Sequence, residues 1–274
     1  MTFASSRSVP ETVFRGGRFS ESSRIVAEEC AIALSYGGST EAVMMATPAD
    51  LEDFAIGFSL SEGIIASIDD VRGIEIVEAS GGIDLQIALN DRLDQALRVR
   101  RRAKAGPVGC GLCGVESIEE ALKPAADVAD VDLVCSASDI AAALSELSAA
   151  QALNTETRSV HAAGFFVPGK GMIAVREDVG RHNALDKLIG HLARTGVDGA
   201  RGAVIMTSRL SVELVQKTAK LGSGFLVGIS APTALAIGMA EKAGMTLVAL
   251  ARGEDFEIFT GHGRIRMEDK ADAA

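Results

Sequence analysis

The chain has 274 residues, 47% of them hydrophobic and 23% charged, enough for a packed core in one large unit or two smaller ones. Its formal charge of −10, from 27 Lys plus Arg against 37 Asp plus Glu, argues against sequence-independent nucleic-acid binding, which needs an excess of cations. Four cysteines are too few for a disulfide scaffold, and no run of about 18 apolar residues offers a spanning helix, so a protein of the reducing cytoplasm is expected.

Residues 1–23 are polar and read as a loose arm, not a signal peptide. Strand-like runs at 25–34 and 41–46 flank Tyr36-Gly37-Gly38, a turn signal that predicts a hairpin. A helix is expected next, with Thr47 as its cap, Pro48 at its first position, and Leu51, Phe54, Ile56, Phe58 and Leu60 apolar up to Gly63. Further strand-like runs cover 71–77, 83–89 and 97–101. A short helix is expected at 117–122, after a glycine-rich loop. These parts make a smaller N-terminal α+β domain, 24–122.

Acidic, irregular sequence at 123–138 reads as a linker. A periodic helix after Ser138 or Asp139 carries Ile140, Leu144, Leu147 and Leu153 on one side. From there to residue 266 the pattern alternates. Strands are predicted at 160–166, 172–177, 203–208, 225–230, 245–250 and 255–260, and helices at about 183–194, 211–221 and 232–243. Gly196, Gly222 and Gly244 stand where these helices should stop. The alternation predicts a layered α/β domain, 139–266, with a largely parallel central sheet, followed by a short tail, 267–274.

Three places carry residues suited to chemistry. Cys110-Gly111-Leu112-Cys113 sits among glycines that leave both sulfurs uncrowded. Arg100, Arg101, Arg102 and Lys104 upstream favour a thiolate at Cys110. A structural zinc site needs four ligands, and Cys30 and Cys135 are isolated. A thioredoxin-like pair fits the flanking glycines poorly. The second place is the corner 176–187, where Arg181 and His182 follow a predicted strand end. The third is Thr207-Ser208-Arg209-Leu210-Ser211, repeated in kind by Ser230-Ala231-Pro232-Thr233; helix starts of this sort, with Arg209, suit a phosphate. His161 lacks the acid of the deaminase His-x-Glu pattern, and no GxGxxG or P-loop fingerprint is present.

Met44 to Phe58, Gly109-Cys110-Gly111-Leu112-Cys113-Gly114, Glu177 to Lys187 and Ser208-Arg209 through Lys217, in this order, resemble the FdhD family of formate dehydrogenase accessory sulfurtransferases. The resemblance implies a sulfur carrier that accepts sulfur from a cysteine desulfurase as a persulfide on Cys110, with Cys113 as its partner. It implies delivery of that sulfur to the bis-molybdopterin guanine dinucleotide cofactor, for the client formate dehydrogenase. It also implies a homodimer and a C-terminal domain of cytidine-deaminase-like fold. The family's cofactor-binding stretch aligns with Leu250, Ala251, Arg252, Gly253, Glu254 and Asp255, where the family pattern is less acidic and carries a cysteine. Arg181, His182 and Arg209 are the residues expected to meet phosphate or base. A cofactor-binding chaperone without covalent sulfur transfer is the alternative.

Overall fold

The computed structural model describes residues 3–95, 97 and 122–266, and shows a mixed α/β protein. The cysteine loop at 110–113, most of the expected run 97–101, most of the expected helix 117–122 and the tail lie outside the described residues. Among the described residues no helix is long and apolar enough to cross a membrane.

The expected arm is instead a long antiparallel hairpin. β1 (Ser6–Arg15) pairs with β2 (Arg18–Ala27) across Gly16 and Gly17. Both glycines have positive φ, 57° and 79°, which a two-residue turn of this hand requires. The chain then forms β3 (Cys30–Tyr36) and β4 (Ser39–Ala46), the hairpin predicted around Gly37-Gly38. After α1 (Leu51–Ser61), β5 (Val71–Ala79) and β6 (Gly82–Leu89) complete a four-stranded sheet of order β4-β3-β6-β5. Alternate residues of these strands (Ile32 and Leu34; Ile83, Leu85 and Ile87) point inward against Phe54 and Phe58 of α1. Tyr36 joins this core by a 2.7 Å hydrogen bond between its hydroxyl and Ser59 Oγ.

The capping expectation for α1 fails. Its N-cap is Asp50, in the left-handed region at φ 53°, with no side-chain cap bond. Thr47 is fully buried and spends its hydrogen-bonding groups on the C-terminal half instead.

A second unit begins with β7 (Cys135–Ser136) and α2 (Ala137–Ala150), which starts slightly earlier than expected because Ser136 and Asp139 form a capping box. Leu153 belongs to a separate short helix, α3 (Ala152–Thr157). β8 (His161–Val167), β9 (Gly171–Asp178), α4 (Arg181–Thr195), β10 (Ala203–Met206), α5 (Val212–Lys220), β11 (Phe225–Gly228), α6 (Ala234–Lys242), β12 (Thr246–Arg252) and β13 (Asp255–Thr260) follow. β14 (Ile265–Arg266) returns to pair with β7.

The six-stranded sheet has the order β13-β12-β11-β10-β8-β9. It is mixed, not largely parallel: β10, β11 and β12 run parallel, while β8, β9 and β13 join antiparallel. Short hairpin connections between β8 and β9 and between β12 and β13 force this, because parallel neighbours need a longer crossover. β10 and β11 are buried along their whole length, as strands covered on both faces must be. One face packs on α4, α5 and α6 through residues such as Leu185, Leu188, Leu214 and Met239. The other packs on α2 through Ile140, Leu144 and Leu147. All three crossover helices stop at the predicted glycines, whose φ values are 68°, 88° and 67°.

Candidate functional site

The strand order brings five chain segments to one end of the large sheet. β10, β11 and β12 all deliver their C-terminal ends there. β8 runs the other way and starts there, and β9 ends there with Asp178 opposite His161. Hydrogen bonds tie the corners sideways. Thr207 N–H donates to Ala162 O (3.1 Å), Leu210 N–H to Ala231 O (3.2 Å), Thr233 N–H to Leu210 O (3.0 Å) and Leu250 N–H to Ser230 O (3.4 Å). The C-terminal ends of parallel strands are where open α/β sheets bind ligands.

Two helices start at this end without a side-chain cap. The N-cap of α4 is Gly180, which has no side chain to offer, and the hydroxyl of Ser211 at the start of α5 turns to Glu213 Oε2 at 3.0 Å. By contrast, Thr233 caps α6 in the ordinary way, accepting from Ala236 N–H at 3.2 Å. Backbone N–H groups without a side-chain cap and the positive end of the helix dipole favour an anion at α4 and α5. Arg181 begins α4, and its buried Nε has no hydrogen-bond partner among the described residues. His182 bridges the two helix starts, with Nε2 3.0 Å from Glu213 Oε2 and 3.5 Å from Ser211 Oγ.

Burial first, and then the Arg181 charge, hold both His161 and His182 below the usual histidine range; Asp178 opposes this at His161 and Glu213 at His182. Arg209 is exposed at the β10–α5 corner.

The stretch Leu250–Asp255 is the end of β12 and its turn into β13. A register shift between Ala249 and Arg252 puts Leu250 in the left-handed region (φ 53°) and leaves its side chain 37% exposed. Ala251 points into the core, while Arg252, Gly253, Glu254 and Asp255 are exposed. Arg181, His182, Arg209 and Leu250 are therefore brought to one sheet end, and Ala251 is directed away from it. His161 also stands at this end and is a residue the motif search set aside. It stands opposite Asp178 only because β9 carries one extra residue where the register shifts between Phe165 and Phe166, which a count from the Pro168-Gly169 turn would miss.

Much of the 176–187 corner has a different task. Asp178, Asn183, Asp186 and Lys187 are buried and bond to the N-terminal unit, as do Arg176 and Arg194 through Asp53. Asp186 takes Lys217 Nζ at 2.6 Å and the Ser61 hydroxyl at 2.6 Å. Burial pushes the Asp186 carboxyl up, with Lys217 pulling against it. A cavity of about 410 Å³ lies near the C-terminal ends of α4 and α5, lined by Leu60, Ile65, Leu192, Val197 and Leu221, away from the strand-end site.

Cys30 is half-buried and Cys135 buried, and burial raises both thiols, Cys135 to about 12; neither has thiolate character. Among the described residues no group of three His, Cys, Asp or Glu is placed to hold a metal ion.

Over residues 27–266 the chain matches the FdhD/NarQ family. It is 58% identical over 262 residues to the sulfur carrier protein FdhD of Agrobacterium fabrum, covering 96% of this chain and 97% of the relative. It is 56% identical over 260 residues to the sulfur carrier protein FdhD of Brucella abortus, covering 95% and 97%. Its fold is similar to the crystal structure of a formate dehydrogenase accessory protein from Desulfotalea psychrophila, with a TM-score of 0.75 at 26% identity, over 96% of this chain and 100% of that one.

Proposed function

The chain belongs to the FdhD/NarQ family, and from that premise we propose that it is a cytoplasmic sulfurtransferase serving formate dehydrogenase, with Cys110 as its carrier. The thiolate of Cys110 attacks the outer sulfur of a cysteine desulfurase persulfide. The new bond makes Cys110–S–SH, and the donor cysteine leaves as a thiolate. Attack of the Cys113 thiolate on the inner sulfur then forms a Cys110–Cys113 disulfide and expels hydrosulfide as a ligand for the metal of bis-molybdopterin guanine dinucleotide. That cofactor is cargo, molybdenum- or tungsten-bearing, and the protein works as a homodimer.

One observation carries the cargo-binding half of this reading: two uncapped helix starts and the unpartnered Nε of Arg181 meet at one sheet end. The fit is chemical. A nucleotide diphosphate needs N–H donors and cations, which α4, α5, Arg181, His182 and Arg209 supply. From β9 to β12 the site runs about 19 Å at ~4.8 Å per strand, the scale of a nucleotide and more. The far end, Leu250 to Asp255, is the place for the base, with Glu254 and Asp255 as acceptors for guanine N–H groups. Strand order and helix placement in the second unit also support a cytidine-deaminase-like layering, without the His-x-Glu acid that deamination needs.

The test is to incubate the protein with a cysteine desulfurase and sulfur-labelled cysteine, then map the label by non-reducing mass spectrometry. We expect one added sulfur on Cys110, absent from Cys110→Ala. No label on Cys110 or Cys113 would sink sulfur transfer and leave a cofactor-binding chaperone.

A further inference from the structure

Asp178 ends β9 with its side chain fully buried, and both of its oxygens are used. Oδ1 accepts from Gly180 N–H at 2.7 Å and from Asn183 Nδ2 at 3.0 Å, both within the turn that opens α4. Oδ2 accepts from Lys187 Nζ at 2.7 Å and from Thr47 N–H at 2.9 Å. Lys187 is fully buried too, and its ammonium also donates to Thr47 O at 2.8 Å. Val179 N–H donates to Thr47 Oγ1 at 3.1 Å, and Asn183 Nδ2 to Met45 O at 2.9 Å. One carboxylate thus holds the start of α4 on one side and the β4–α1 connection of the N-terminal unit on the other.

The next residues after the Gly180 turn are Arg181 and His182. A Cβ at Gly180 would stand 2.7 Å from Asn183 Nδ2 and 3.4 Å from Asp178 Oδ1, so the turn packs directly on the amide and carboxylate that hold it.

We propose that Asp178 is the positioning residue of the strand-end anion site, fixing the α4 start so that Arg181 and the free helix N–H groups face the phosphate of a nucleotide. Lys187 neutralises Asp178 but holds no part of that turn directly. Seating of Thr47 and the aim of Arg181 are set by the same carboxylate, so ligand binding and docking of the N-terminal unit are linked and each strengthens the other. This rests on the nucleotide-cargo reading.

The two partners of the ion pair separate positioning from bulk stability. Lys187→Met leaves Asp178 with Gly180, Asn183 and Thr47. Asp178→Ala/Lys187→Met removes both buried charges together, which a fold tolerates far better than removing one. GDP binding is measured by calorimetry on wild type and both variants, alongside their melting temperatures. We expect Lys187→Met to melt lower yet bind GDP within about threefold of wild type, and the double variant to melt higher than Lys187→Met yet bind GDP about tenfold or more weakly. GDP affinity that follows melting temperature across the three proteins overturns the positioning role. Wild type that fails to bind GDP overturns the nucleotide reading instead, so the two failures are distinct.

Discussion

Gly57 and Gly190 look like flaws in a sequence, since glycine weakens a helix interior relative to alanine. In the fold they face each other where α1 crosses α4. A Cβ on Gly57 would run into the carbonyl oxygen of Asp186, and one on Gly190 into that of Asp53. The close crossing lets Asp53 reach Arg194 Nη1 at 2.6 Å and Ser61 reach Asp186 at 2.6 Å. Backbone cannot yield as a flexible side chain can. We therefore expect Gly57→Ala to destabilise the protein by at least about 2 kcal/mol, read from its chemical denaturation midpoint. A midpoint within experimental error of wild type would show that the two helices can separate freely. Helix α1 was legible from its apolar spacing, but Gly57 was not, because its reason lies in another helix far along the chain. The same holds for Asp178, Asn183 and Lys187. Their density at a strand end signalled a site; Arg181 and His182 do stand at the sheet end, whereas the buried members serve the junction between units.

Among elements, the β1–β2 hairpin was the largest one missed, and the cause is physical. Strand prediction relies on one buried face, and β2 is exposed along nearly all its length, so no alternation marks it. The Gly37-Gly38 turn stood out because its flanking strands are half-buried; Gly16-Gly17 carries the same signal without that contrast. The hairpin is anchored at its base, where Phe3 packs on the N-terminal core, Glu28 N–H donates to Ser5 O at 2.8 Å and Arg24 reaches Thr157 O at 3.5 Å. Its tip stands free, with Phe14 and Phe19 60% and 76% exposed and their rings 4.9 Å apart. The family match begins at residue 27, where this hairpin ends. Replacing both rings (Phe14→Ser, Phe19→Ser) should therefore cost under about 1 kcal/mol in thermal unfolding, the scale of one cross-strand pair. A larger loss would mean that the tip is packed against something.

At the scale of the whole molecule, buried ion pairs help to join the two units, and three partly buried histidines make the fold sensitive to acid. His161, His182 and His191 are each held below the usual histidine range, chiefly by burial and then by a neighbouring arginine: Arg181 for the first two, Arg176 for the third. Well above pH 7.5 they are uncharged in both the folded and unfolded chain and contribute almost nothing to the difference. As pH falls through about 6.5, the unfolded chain takes up these protons and the folded chain resists, so stability is lost. Asp186 runs the opposite way. Burial raises its carboxyl, so the folded chain takes up that proton more readily than the unfolded one and this group alone gains stability as pH falls, against the three histidines. The urea midpoint should accordingly fall steadily from about pH 7.5 to about pH 5.5. An anionic ligand beside Arg181 works against the downward shift of two of the three histidines. It favours the protonated rings of His161 and His182, so the stabilisation conferred by GDP should grow over the same interval, with proton uptake on binding. His191 lies at the other end of α4, against Arg176 and Asp53, and is left out of that compensation. A GDP-induced shift in the midpoint that shrinks as pH falls would place the phosphate away from these two histidines, and with it away from the start of α4.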